Sequence, residues 1–84
     1  MANQVKIPED FFIGNVAEVA SEILFALQGG EEVVIDLGTV NRIDTAAIQA
    51  VLSAKKEAES LGVNLTIIQT DFVRDFVATI GVVL

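Results

Sequence analysis

The sequence contains neither cysteine nor histidine. Without cysteine there are no disulfides, no thiolate nucleophile and no thiolate metal site. Without histidine, the commonest general base and the commonest metal ligand are both missing. Basic residues are scarce: five Lys and Arg stand against 12 Asp and Glu, for a net charge of -7. A chain so anionic repels phosphate backbones, so no nucleic-acid partner is expected. Long hydrophobic runs are also absent. No stretch approaches the roughly 18 consecutive apolar residues of a membrane span, so no membrane insertion is expected. Met1-Ala2-Asn3-Gln4 lacks the basic-then-apolar layout of a secretory signal. The expectation is a soluble, cytoplasmic protein.

What is present is a core-forming composition. Apolar residues make up 52% of the 84 residues, too many for a disordered chain and enough for one domain, read as 1–84. The apolar run Val33-Val34-Ile35-Asp36-Leu37 reads as a central strand buried on both faces. After a turn at Gly38, the chain enters a helix at Asp44 or Thr45, either of which can cap it. Ala47, Ile48, Val51, Leu52, Lys55, Ala58 and Leu61 recur at helical spacing, and Gly62 closes the helix.

Around this centre, Asn15 starts a first helix, with Glu18 placed as a capping-box partner. Val16, Val19, Ala20, Ile23, Leu24 and Leu27 form its apolar stripe, and Gly29-Gly30 end it. Val63, Leu65 and Ile67 alternate with Asn64 and Thr66, as in a strand with one wetter face. Thr70 or Asp71 caps a last helix with the stripe Phe72, Val73, Phe76, Val77 and Ile80, leaving Val82-Val83-Leu84 as a tail or a brief final pairing. Before Asn15, Val5–Ile7 and Phe11–Ile13 are short runs stopped by Pro8 and Gly14, expected to form a small strand pair at the sheet edge. The fold class is α/β, a small mixed and largely parallel sheet with helices packed on it.

Catalytic chemistry has few candidates. Ser21, Ser53 and Ser60 lie on helices with no histidine to activate them. Asp36 and Asp44 form a possible carboxylate pair for magnesium or acid–base work, set against the simpler roles of helix cap and turn acceptor. The Gly29-Gly30 pair lacks the Lys-Ser/Thr of a phosphate loop and precedes a strand. No enzyme, metal or cofactor is expected. Thr45 is the polar residue of interest, because a hydroxyl at a helix start faces unpaired N–H groups and a positive dipole end that tolerate a phosphate. Beside it, Ala46, Gln49, Ala50 and Ser53 share helical spacing and carry no charge. Small, uncharged residues on an outward side allow close approach of another protein.

The segments Val33-Val34-Ile35-Asp36-Leu37, Val40-Asn41-Arg42-Ile43 and Asp44-Thr45-Ala46-Ala47-Ile48 resemble the STAS domain, the family that includes the sporulation anti-sigma factor antagonists. Leu61-Gly62-Val63 and the stretch from Phe76 to Gly81 fit the same pattern. The resemblance implies a non-enzymatic protein-binding domain. In the antagonist branch a partner serine kinase, the anti-sigma factor, phosphorylates the hydroxyl residue after the Asp, here Thr45, with Asp44, Ala46, Gln49, Ala50 and Ser53 as the adjoining partner face. The family often carries Ser-Ser-Gly after that Asp, where this chain has Thr45-Ala46-Ala47. Other branches serve in chemotaxis assemblies or bind the ATPase of a phospholipid-transport ABC system without phosphate. Those uses imply a chemotaxis component or an ABC ATPase as the partner instead.

Overall fold

The Val33–Asp36 run forms the middle strand of a three-stranded sheet in a computed structural model that describes residues 3–84. In chain order the elements are β1 (Asn3–Lys6), β2 (Asp10–Phe11), α1 (Val16–Gln28), β3 (Val33–Asp36), β4 (Arg42–Ile43), α2 (Thr45–Leu61), β5 (Leu65–Ile68) and α3 (Asp71–Thr79). The sheet order is β1-β3-β5, and β2 and β4 make a separate two-stranded pair. Every pairing among the described residues is parallel, with Val5 opposite Ile35 and Ile35 opposite Ile67. Parallel neighbours need long crossovers, and α1 and α2 supply them. The expected α/β class with a largely parallel sheet is therefore present.

The N-terminal runs do not pair with each other as expected. β1 joins the main sheet as an edge strand on β3, while β2 pairs with β4, whose sequence lies some 30 residues further on. The reason is the direction of the chain: Pro8 breaks the run, and Phe11 packs into the core with no exposed surface. Only Asp10–Phe11 is strand; Phe12 and Ile13 turn outward into a loop.

β3 is not buried on both faces. Val33, Ile35 and Leu37 are fully buried, but Val34 and Asp36 are half-buried and alternate with them. The register extends this alternation across the sheet. Val5, Val33 and Ile35, with Leu65 and Ile67, face the core, while Gln4, Lys6, Thr66 and Ile68 lie exposed on the other side. The helices cover one face only. α1 and α2 pack on each other and bury Val19, Ile23 and Leu27 with Ala47, Ile48, Val51, Ala54 and Ala58. α3 adds Val73 and Val77 to the same core. Burying each large side chain of this set is worth roughly 1.5–3 kcal/mol.

The ends of the helices depart from expectation in places. Asn15 occupies the cap position of α1 but makes no side-chain bond to the helix. Asp44, not Thr45, caps α2, and Thr70 caps α3 through Val73 N–H at 3.4 Å. Gly62 takes the left-handed conformation at the α2 terminus (φ 69°), which a β-carbon would strain. Leu24, Leu61, Phe72 and Ile80, counted to apolar stripes, remain partly exposed, and Ala54, outside the expected stripe, is buried in the core. The tail forms no strand. Val82 N–H donates to the Val77 carbonyl at 2.8 Å, and Lys55 Nζ donates to the Leu84 carbonyl at 3.0 Å.

Candidate functional site

The turn from β3 to α2 delivers the polar groups of the site. Asp36 ends β3, and its Oδ1 accepts from Gly38 N–H at 2.8 Å while its Oδ2 accepts from Gln4 Nε2 at 3.0 Å. A β-carbon at Gly38 would meet Asp36 Oδ1 at 2.8 Å, so glycine is what allows this tight turn. Thr39 Oγ1 then reaches back to the Ile7 carbonyl at 3.3 Å, tying the turn to the end of β1. Val40 and Ile43 anchor the connection in the core. Asp36 and Asp44 thus serve separate backbone turns and share no partner. No group of three or more metal-ligating side chains occurs among the described residues.

Asp44 has extended backbone and caps α2 by accepting from Ala47 N–H at 3.0 Å. Its second oxygen accepts from Ile13 N–H at 2.9 Å, across 31 residues of sequence. The Ala47 N–H, and next the Ile13 N–H, hold the carboxyl below its ordinary value of 3.8 against an opposing effect of desolvation, with lesser help from the Ala46 N–H and the Arg42 charge. Asp44 is thus a stable anion at neutral pH, at the positive end of a 17-residue helix.

Thr45 is the first residue of that helix and is exposed. Gln49 and Ser53 follow it along the surface and are exposed as well. Ala46 and Ala50 are half-buried. Ala50 and Ser53 line a groove of about 330 Å³ between α1 and α2, together with Ala20 and Leu24. The structure therefore brings Asp44, Thr45 and Ala46 together at the helix start and lays Gln49 and Ser53 in line with them, while Ala50 turns into the seam with α1. A separate cleft of about 580 Å³ lies at the carboxyl end of β1, rimmed by Glu9, Glu18, Glu22 and Lys6, and includes none of these residues.

One part of the site had no sequence signal. The Phe12–Gly14 loop lies against Asp44, and Ile13 projects from it with 69% of its surface exposed. Read in sequence, Phe11-Phe12-Ile13 is a strand. Only the long-range bond to Asp44 shows that its end belongs to the entrance of α2.

The model of the STAS domain matches residues 3–75, most of the chain. This chain belongs to the STAS domain family. The matched region runs from β1 into α3 and contains the whole β3–turn–α2 unit. STAS domains are in general non-catalytic modules that mediate protein–protein interaction, and a regulatory or binding role is consistent with membership. A search of curated proteins returned no significant match to this STAS sequence. No helix among the described residues is long and apolar enough to cross a membrane.

Proposed function

We propose that this STAS domain is a non-enzymatic, cytoplasmic regulatory module of the anti-sigma factor antagonist type, switched by phosphorylation of Thr45 by a partner serine kinase. The observation that carries the reading is the exposure of Thr45 as the first residue of α2, directly after the capping Asp44. In the transfer, Thr45 Oγ1 attacks the γ-phosphorus of a nucleoside triphosphate. The hydroxyl proton passes to the kinase's base and the nucleoside diphosphate leaves. The phosphate adds about -1.5 to -2 charge at neutral pH. Beyond the capping Asp44, the residues Ala46, Gln49 and Ser53 of the unmodified face carry no charge. A partner packed on it excludes water, and a dianion there would have to be desolvated, which drives the partner off.

Incubation with a partner serine kinase and ATP is expected to raise the mass by one phosphate, and Thr45→Ala to abolish the shift. An unchanged mass for the unsubstituted protein, with Thr45→Ala fully active in cells, would remove the reading.

The second reading is a constitutive adaptor in a chemotaxis assembly or on the ATPase of a phospholipid-transport system. It is favoured by the absence of charge along Ala46, Gln49, Ala50 and Ser53, which suits a permanent interface. Because Ala50 is half-buried in the α1–α2 seam, Ser53 is the better probe. In an adaptor, Ser53→Arg abolishes capture of the partner and Thr45→Ala leaves it intact; in a switch, Thr45→Glu alone suffices to lose it.

A further inference from the structure

Asp44 sits between two segments that are far apart in sequence. One oxygen holds the first turn of α2 through Ala47 N–H, and the other holds the Phe12–Gly14 loop through Ile13 N–H. The rest of that loop is equally constrained. Asn15 Oδ1 accepts from Phe12 N–H at 3.1 Å, and Asn15 Nδ2 donates to the Asp10 carbonyl at 2.7 Å. The Phe12 ring is stacked under the Arg42 guanidinium, 4.5 Å from its centroid, and covers Gly14 so closely that a β-carbon there would come within 2.4 Å of it. Ile13 is the side chain this packing leaves out. A loop tied at this many points presents one apolar side chain in one place, which is the condition for a low-entropy contact.

We propose that Asp44 couples the state of Thr45 to this loop: a phosphate on Thr45 takes N–H groups of the first turn of α2, repels the adjacent Asp44 carboxylate and releases Ile13 N–H, so that Ile13 is no longer held in one position. The proposal rests on the reading of Thr45 as the modified residue and says how the modification is transmitted. The N–H groups that a phosphate on the first helical residue can reach are the ones Asp44 uses. Two anionic groups in consecutive positions compete for them, and like-charge repulsion displaces the weaker acceptor. The chain already carries -7, so one more anion alters its distant field little. The local effect on Asp44 is the larger one, and it reaches a part of the surface that the phosphate itself does not touch.

The test is amide hydrogen exchange by NMR on four forms of the full chain: unmodified, with phosphothreonine incorporated synthetically at position 45, Asp44→Asn, and Asp44→Asn with phosphothreonine. The fully buried Ile35 of β3 serves as the reference for global opening. Asn keeps a cap oxygen for Ala47 but turns an NH₂ toward Ile13 N–H, so this variant breaks the loop bond while sparing the cap. The expected result is that phosphate speeds exchange of the Ile13 amide at least about tenfold relative to Ile35, as loss of a hydrogen bond to a charged acceptor requires. Asp44→Asn is expected to match that rate, with no further gain on phosphorylation. An Ile13 rate unmoved by phosphate but raised by Asp44→Asn would overturn the coupling. So would an equal acceleration by phosphate in both backgrounds, because the route would then bypass Asp44. Since the phosphothreonine is installed synthetically, failure of any kinase to modify Thr45 would count against the proposed function and leave this measurement standing.

Discussion

α1 and α2 both begin with a residue that caps helices well, yet the two residues do different things. Asn15 stands at the cap position of α1 and turns its amide backward, to Phe12 N–H and the Asp10 carbonyl, leaving the helix without a side-chain cap. Asp44 caps α2 and also reaches the same upstream loop. Asn15 has a single acceptor oxygen and it points to the turn, whereas the Asp44 carboxylate has two, one for each segment. The entrance of each helix is therefore organised around one small loop, and the loop depends on both residues.

The largest effect in this comparison belongs to the support both residues share. Phe11 is fully buried in β2, and the β2–β4 pair places Asn15 and Asp44 on either side of the loop. Phe11→Ala is expected to lower stability by about 3–5 kcal/mol in urea unfolding. Asp44→Ala is expected to cost more melting temperature than Asn15→Ala, because it removes a cap and a long-range tie together. Asn15→Ala loses only the turn bonds, about 1 kcal/mol, since Asn15 makes no side-chain bond to α1. If the two variants melt alike, the carboxylate's dual role is not what distinguishes the helices.

Acid sharpens the same contrast. The folded-state pKa of Asp44 lies below its ordinary value of 3.8. The stabilisation is thus fully present above that value and is lost as pH falls through the folded-state pKa. The gap in melting temperature between the parent and Asp44→Ala is expected to be constant near neutrality and to shrink below about pH 3.8, while the gap for Asn15→Ala stays level. The smallest effect is expected at α3, where the Thr70 hydroxyl accepts over a long 3.4 Å. Thr70→Ala should cost about 0.5 kcal/mol, near the low end for cap replacement, and loss of the exposed Asp71–Arg74 ion pair less still.

Much of the fold was legible because local chemistry and tertiary role agree. The β3 run, the 3.6-residue periodicity of α2, the cap-type residue before it and Gly62 after it all point to the same elements. The position of Thr45 at a helix start was legible for the same reason. What failed was information that local sequence does not hold. The partners of β1 and β2 are parallel strands more than 25 residues away, and nothing near Val5 or Phe11 encodes them. The run of Val33, Val34 and Ile35 looks buried on both faces, yet the second face is left bare by helices that all lie on the other side. Asn15 is a favourable cap by type, but the competing acceptor role in the preceding turn is visible only once Phe12 and Asp10 are in place. Ala54 is too small to register as core, although the closeness of α1 and α2 depends on such residues. The Ile13 contact with Asp44 combined both difficulties: an apolar residue that is exposed, and a bond that spans 31 residues.

The bare side of the sheet has a consequence for how little chain this architecture needs. All-parallel sheets are ordinarily laminated between two helical layers, and each strand must then be apolar at every position. Here Gln4, Lys6, Asp36 and Thr66 occupy the unlaminated side, with Gln4 and Asp36 hydrogen-bonded to each other. The strand positions on that side are thereby relieved of the need to be apolar. A second helical layer would add dozens of residues, whereas a wetted face adds none.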